Sequence, residues 1–387
     1  MKLFDVYPLY DVVPTHAKDV YVYDDKGIKY LDLYGGHAVI SIGHGHKLYK
    51  DCLTKQLNEI GFYSNAVKNP LQQQLAENIG KHSHCNDYQL FLCSSGAEAN
   101  ENALKLASFV TGKKRIIAFN NSFHGRTSAA VAATDNLAIN APLNLQQDVT
   151  FLPFNDEKLL EVEIKKGDVC AVIFEAIQGV GGLDEPSEEF IYTMDRLCKT
   201  YNICLIADEV QSGFSRSGTF FAYQKCSIKP NIITMAKGMG NGFPVGGILA
   251  HSSIESKYGM LGTTFGGNHL ACSASLAVLD VLEKDSSHLK KLKDNTKFFR
   301  EEITRHGFEI KPGTHPIVPI MLYDDHLAQN MSKELLKLGV YVIGFFYPVV
   351  PRGQARIRVQ ISAAHAMEDI QKAIDSFVLV GKKLKVI

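Results

Sequence analysis

The chain has no excess of either charge, since Lys plus Arg and Asp plus Glu both number 41 among 387 residues. Without a global field, nucleic acid and anionic membrane surfaces are not expected as partners, which leaves a small molecule. No uncharged apolar run approaches the roughly 20 residues that cross a bilayer, so no membrane-spanning helix is expected. The stretch from Met1 to Asp11 holds two acids and lacks an apolar core segment, unlike a secretory signal. The eight cysteines form no C-x-x-C pair, and several sit in apolar segments. Reduced, buried thiols in a cytoplasmic protein fit that pattern. His82-Ser-His84-Cys85 has no second ligand pair to complete a metal site and reads as a solvated loop. Neither G-x-x-x-x-G-K-[ST] nor G-x-G-x-x-G occurs, so nucleotide phosphates are not indicated. Internal repeats, low-complexity tracts and linkers are absent as well.

What is present is an alternation of short apolar runs with amphipathic stretches between residues 89 and 250. Runs beginning at Gln89, Arg115, Asp168, Asn202 and Asn231 are rich in Val, Ile and Phe and long enough for buried strands. Helix-like segments at 97–110 and 188–201 lie between them, which predicts an α/β fold with a mainly parallel sheet and helices on both faces. Residues 46–280 are expected to form this large domain. Residues 1–45 and 281–387, shorter mixed α and β pieces, are expected to form a smaller α+β domain.

Ligands of such sheets gather at the carboxyl ends of the strands, where Lys237, Asp208 and Glu175 fall. Lys237 closes the run Asn231-IITMA and precedes a glycine-rich stretch, an unusual place for a strongly hydrated cation. A lysine and a carboxylate at neighbouring strand ends suit pyridoxal phosphate, the amine to bond the cofactor's aldehyde carbon and the acid to hold its ring proton. A strand-end lysine facing water, with Asp208 a simple cap, is the plainer reading. Ser94-Ser95-Gly96-Ala97-Glu98 opens a helix, with Ser95 and Glu98 spaced as a capping box. Its free N–H groups and the dipole make an anion site, and Gly96 permits close approach. Most such sequences are plain caps. Thr263-Thr264 lies in a second small, polar, glycine-rich loop that could supply another phosphate donor. In Ser122-Phe123-His124-Gly125-Arg126, the aromatic can cover a flat ring and Arg126 can grip a carboxylate as a fork. Phe123 as core and Arg126 as a surface ion pair remain open alternatives.

Seven stretches together resemble the class III (ornithine-type) aminotransferases, the acylornithine members most. They are Tyr30-LDLYGGHAVISIGHGH, Ser94-SGAEANENALKLA, Asn121-SFHGRTSAA, Glu175-AIQGVGG, Ala207-DEVQSGFSRSGTFFA, Pro230-NIITMAKGMGNGFPVGG and Gly262-TTFGGNHLAC. The resemblance implies the pyridoxal-phosphate transferase fold of type I and a homodimer with shared active sites. It implies that Lys237 bonds the cofactor and moves the substrate proton, and that Asp208 pairs with the ring nitrogen. By the same likeness Phe123 stacks on one ring face, Val210 packs on the other, and Gln211 stands near the phenolic oxygen. Ser95, Gly96 and Ala97 would hold the phosphate, with Thr264 reaching the neighbouring subunit's phosphate and His124 part of the cofactor shell. Arg126 would take the α-carboxylate of an acylated ornithine, and Glu175 would stand near the substrate amine.

Two departures qualify the likeness. Family members usually read Glu-Pro-x-Gln-Gly-Glu-Gly-Gly, whereas Ala176 and Val180 replace the proline and the second glutamate. In ornithine-type members that glutamate pairs with a carboxylate-binding arginine, so its absence argues against a substrate switch of that kind. Beyond residue 290, Asn295-TKFFREEITRHGFEIKPGTHPIVPIMLYD and Gly344-FFYPVVPRGQARIRVQISAAH are similar to glycine C-acetyltransferase, an α-oxoamine synthase. A composite chain is therefore expected, joined near Leu279-DVLEKDSS. Both families imply the same job for Arg358, binding a substrate carboxylate, and a planar fork suits it. Arg356 and Arg358 share a strand face, so at least one should enter the site. The expected reaction is transamination from an N-acylornithine to 2-oxoglutarate. Oxoamine synthesis from glycine and an acyl-CoA is the alternative, with a cofactor-binding protein of impaired geometry the third. The synthase's Asp-x-x-His is missing before the lysine strand, where Asp208-Glu-Val-Gln stands, and this favours transamination.

Overall fold

The computed structural model describes residues 1–347 and 349–387. Its centre is a seven-stranded sheet in the order Tyr88–Cys93, Gly246–His251, Ile232–Met235, Cys204–Asp208, Val169–Phe174, Arg115–Phe119 and Val149–Leu152. The last five strands run parallel, while Gly246–His251 is antiparallel to both its neighbours. The runs at 115–119, 169–174, 204–208 and 232–235 are buried at every position, as expected of a sheet covered on both faces. The strands expected from the apolar runs are all present; Val149–Leu152 and Gly246–His251 complete the sheet.

Helix Gly96–Thr111 crosses one face and buries Ala99, Ala103, Leu104, Leu106 and Ala107 against it. Small side chains on that stripe let the helix approach the sheet closely. On the other face, Lys47–Glu59 and Pro70–Ser83 pack against His269–Lys284, and Glu157–Ile164 packs against Glu188–Thr200. The predicted loop at 82–85 is a helix ending instead. Ser83 closes Pro70–Ser83, and His84 caps it in the left-handed conformation at φ +57°. The His82 ring lies against Phe220, 6.2 Å between centroids, which draws this polar segment onto the core. All eight cysteines are free, and all but Cys52 are buried.

Residues from the two ends of the chain share a four-stranded sheet, Pro14–Lys18, Tyr21–Asp24, Lys29–Asp32 and Val340–Tyr341. A three-stranded antiparallel sheet, Ile317–Tyr323, Ala355–Gln360 and Ile343–Phe345, lies beside it. Ala355, Ile357 and Val359 enter a core with Phe299, Phe308 and Phe377. The alternate residues Arg356, Arg358 and Gln360 are also buried, so this strand is covered on its polar face too. Among the described residues, no helix is long and apolar enough to cross a membrane.

Candidate active site

A cavity of about 390 Å³ opens at the carboxyl ends of the parallel strands. Ser95, Gly96, Ala97, Phe123, His124, Arg126, Glu175, Asp208, Val210, Gln211 and Lys237 all line it. Loops far apart in the chain thus converge, because each follows a strand of one sheet.

The helix start at Ser95 supplies the anion-binding end. Ser95 Oγ accepts from the Glu98 N–H at 3.2 Å, which is half of the expected capping box. The other half differs: Glu98 Oε2 accepts from the Ser94 N–H at 2.6 Å, one residue earlier than a standard box. Gly96 is dictated by space, since a Cβ there would stand 2.6 Å from Val210 Cγ1. Its missing side chain lets Val210 pack directly beneath the helix terminus.

Asp208 is the most heavily bonded carboxylate of the site. His124 Nδ1 and Asn100 Nδ2 donate to its Oδ2 at 2.6 and 2.7 Å. The Val210 N–H and Thr234 Oγ1 donate to Oδ1 at 3.0 and 3.3 Å. Four donors on its two oxygens fix the direction of the carboxylate. Burial works against a charged His124, yet the Asp208 carboxylate outweighs it and raises the imidazole above the ordinary histidine range. His124 therefore acts from behind, aiming Asp208. Asn100 holds both, since its Nδ2 also donates to the His124 carbonyl at 2.7 Å. Neither Asn100 nor Thr234 stands out in the sequence. A buried polar residue on the apolar stripe of helix Gly96–Thr111 was the available signal.

Lys237 has a left-handed backbone, φ +45°, in the turn after strand Ile232–Met235. Its Nζ donates to Gln211 Oε1 at 3.3 Å, and Arg358 Nη2 donates to the same oxygen at 3.0 Å. Burial, then the nearby Arg358 charge, lowers the Lys237 amine to about 8, against the pull of Asp208 and Glu175. An amine so shifted is partly neutral near physiological pH, the form that attacks a carbonyl carbon. Arg358 is itself lowered to about 10 by burial, and its guanidinium lies 5.2 Å from the Phe345 ring centroid. Of the expected arginines, Arg126 is exposed on the cavity wall, and among the described residues it forms no ion pair. Thr264 is not brought to this cavity; it stands on an exposed loop outside it.

Glu175 accepts from the backbone N–H groups of Phe123 and Gly179 at 3.0 and 2.8 Å, yet burial still pushes it up to about 7. Burial does the same to Glu209, bonded to Ser212 Oγ and to the Ala222 and Tyr223 N–H groups. In the unfolded chain these acids ionise near 4.5, so the folded protein keeps their protons over a wider range. The stability they allow is full below about 4.5 and falls as pH rises to about 7. His124, also raised, adds a loss of the same sign as it deprotonates. Denaturant unfolding from pH 5 to 8 is expected to show that decline. Glu209→Gln should make it shallower by on the order of 2–3 kcal/mol across that range. An unchanged slope in that variant would contradict the assignment.

Residues 5–318 match the model of the aminotransferase class-III family. An acetylornithine aminotransferase of Bacillus subtilis (strain 168) is 40% identical over 304 residues, covering 78% of each chain. One from Oceanobacillus iheyensis is 37% identical over 395 residues, covering 99% of this chain and 96% of its own. Among solved structures, an S-selective transaminase from Arthrobacter sp. superposes with a TM-score of 0.88 at 19% identity, covering 100% of this chain and 96% of that one. The acetylornithine aminotransferase of Elizabethkingia anophelis does so at 0.83 and 27%, covering 97% and 95%. The family match runs through the expected junction at Leu279, and the Oceanobacillus relative aligns across it, so neither supports a composite chain.

Proposed function

Because the chain belongs to the class III, pyridoxal-phosphate-dependent aminotransferases, we propose that it moves the δ-amino group of an N-acylornithine to 2-oxoglutarate, as a cytoplasmic homodimer serving arginine biosynthesis. The observation that carries this reading is the oxygen shared by Lys237 and Arg358. A carboxylate held by Arg358 places the rest of its molecule beside the Lys237 amine, within reach of the proton to be moved. The relatives' names, all acetylornithine aminotransferases at 36–40% identity, support the donor.

The residues fit the cofactor. A helix N-terminus with space-limited Gly96 suits a phosphate, and Phe123 and Val210 supply apolar walls for a ring. The fixed carboxylate of Asp208 suits a protonated ring nitrogen. Pyridoxal phosphate, when bound, supplies an aldehyde carbon for the amino group and a ring that accepts electrons. Lys237 would hold it through its amine and, with that amine free, would accept the proton of the substrate carbon. Gln211 orients the Lys237 amine through Oε1 and keeps it next to Arg358. Glu175, on the same wall, offers a buried acid near the incoming amine.

Arg126 and Arg358 divide the substrates in this proposal. Arg126 takes the α-carboxylate of the acylornithine, and Arg358 a carboxylate of the oxo acid. Arg126→Ala should raise KM for the donor by about 10- to 100-fold, the worth of a charge-assisted pair, with little change for the acceptor. Arg358→Ala should do the reverse, and equal losses for both substrates would contradict the division. Thr264 is assigned to the neighbouring subunit's phosphate; its exposed loop, with Phe265 against Phe62 at 5.4 Å, supports an apolar contact there. The division into 46–280 and 1–45 with 281–387 belongs to the same proposal, the second part bringing Arg358 to the first. A screen with N-acetylornithine, N-succinylornithine, ornithine, 4-aminobutyrate and glycine, read by loss of the bound cofactor's visible absorbance, tests the donor. Preference for an unacylated donor would overturn it, and release of coenzyme A from glycine and acetyl-CoA would favour oxoamine synthesis.

A further inference from the structure

Residues 33–43 form a strap between the strand that carries Arg358 and the turn that carries Lys237. At its centre Gly35, Gly36, His37 and Ala38 have φ between +55° and +62°. They make one turn of left-handed chain, closed by the Val39 and Ile40 N–H groups on the Gly35 carbonyl at 2.8 and 3.0 Å. Glycine takes that conformation freely, whereas His37 and Ala38 are strained in it. Backbone strain persists only where the surroundings hold the chain against relaxation. Both ends of the strap supply such holds.

At the arginine end, the Gln360 N–H donates to the Leu33 carbonyl at 2.7 Å, and Gln360 Nε2 to the Ile40 carbonyl at 3.3 Å. Gln360 follows Arg358 on the same strand face. Gly35 lies against its amide, where a Cβ would stand 2.5 Å from Nε2. At the lysine end, Asn241 Oδ1 accepts from the Ser41 and Ile42 N–H groups at 2.8 and 3.1 Å, and its Nδ2 donates to the Gly43 carbonyl at 3.0 Å. Ser41 Oγ donates to the carbonyl of Gly238, the neighbour of Lys237, at 3.3 Å. Both amides are buried, so their bonds are not exchanged for water without cost. Between the two ends Val39 lines the cavity. Lys237 and Arg358 meet on one oxygen of Gln211, so a shift of either end relative to the other is felt there. Arg216 Nη1 also holds the strand's end, through the Ile361 carbonyl at 2.7 Å. Loss of the strap's bonds therefore tilts the strand rather than freeing it.

We propose that Asn241 and Gln360 are positioning residues for transamination, which act through residues 33–43 to set the distance between Arg358 and Lys237 and so the fit of the oxo acid. This rests on the assignment of Arg358 to a carboxylate of that acid. The test measures kcat and KM for N-acetylornithine and for 2-oxoglutarate in holoenzymes carrying Asn241→Ala, Gln360→Met, both, or Arg358→Ala. Each single strap variant is expected to raise KM for 2-oxoglutarate about tenfold and to leave the donor KM within about twofold, as a slight misplacement of one fork would. Because the two act through one strap, the double variant should lose about tenfold as well, not the roughly hundredfold of independent sites. An unchanged acceptor KM in Asn241→Ala, an equal rise for the donor, or multiplied losses in the double variant overturns the proposal. Should Asn241→Ala fail to fold, Gly35→Ala takes its place, since its methyl group presses on Gln360 from the strap itself, and the same selective rise is expected. If Arg358→Ala leaves the acceptor KM unchanged, the carboxylate assignment fails instead, and the pH midpoint of the bound cofactor's visible band decides on the strap. Burial and then the Arg358 charge lower the Lys237 nitrogen, against Asp208 and Glu175, so a displaced Arg358 should raise that midpoint in both strap variants. A midpoint that stays in place removes the strap's role.

Discussion

Lys237→Ala is expected to lower turnover by about 10⁴-fold or more, the range lost with an essential proton-transfer group. It should also abolish the covalent component of cofactor binding, seen as loss of the bound cofactor's characteristic visible band. A variant that kept both would remove Lys237 from the chemistry. The same change is expected to leave the cofactor-free protein at least as stable as its parent. Burial and the Arg358 charge both oppose the charged amine, so removing it relieves a cost. The left-handed backbone at φ +45° is strained for lysine and alanine alike, so that cost is unchanged. Activity and stability should thus move apart, which thermal unfolding of the two apo proteins would reveal.

Asp208→Asn is the second change with a large expected effect. It is nearly isosteric, but an amide cannot accept from four donors at once, and its NH₂ would face His124 or the Val210 N–H. His124 would lose the carboxylate that outweighs burial, so its pKa should fall from above the ordinary histidine range to below it. Turnover should drop by about 10²–10³-fold, the scale on which a preorganised charge at a reacting system matters. Imidazole titration by NMR, together with kcat, checks both parts. An Asp208→Asn protein with near-parent kcat would show that the carboxylate is not needed at the ring.

The site was legible from sequence where its chemistry is local. Ser95, Gly96, Asp208 and Lys237 sit at strand ends or a helix cap, positions that turn chemistry and apolar runs mark directly. What was not legible depends on distant partners. Asn100 meets Asp208 across 108 residues, and Gln211 meets Arg358 across 147. The place of Asn100 on the apolar stripe of its helix marks it as buried, but no local pattern names its partners. Strand direction was equally hidden, since Gly246–His251 has the same apolar character as its parallel neighbours. His82 and Ser83 failed for the opposite reason, because a polar composition suggested a loop where contact with Phe220 draws the segment inward.

The position of Gly246–His251 also sets an order of events during synthesis. Tyr88–Cys93 pairs in the sheet with that strand alone. At about 5–20 residues per second, an edge strand finished near residue 93 waits roughly 10–30 s for a partner about 150 residues later. Until then the parallel strands can assemble and take helix Gly96–Thr111 onto their face, while strand Tyr88–Cys93 waits unpaired at the sheet's margin. The strand that leads into the phosphate end of the pocket is therefore the last to be paired, and a ribosome paused before residue 246 would hold a chain that has its lysine but an open sheet edge.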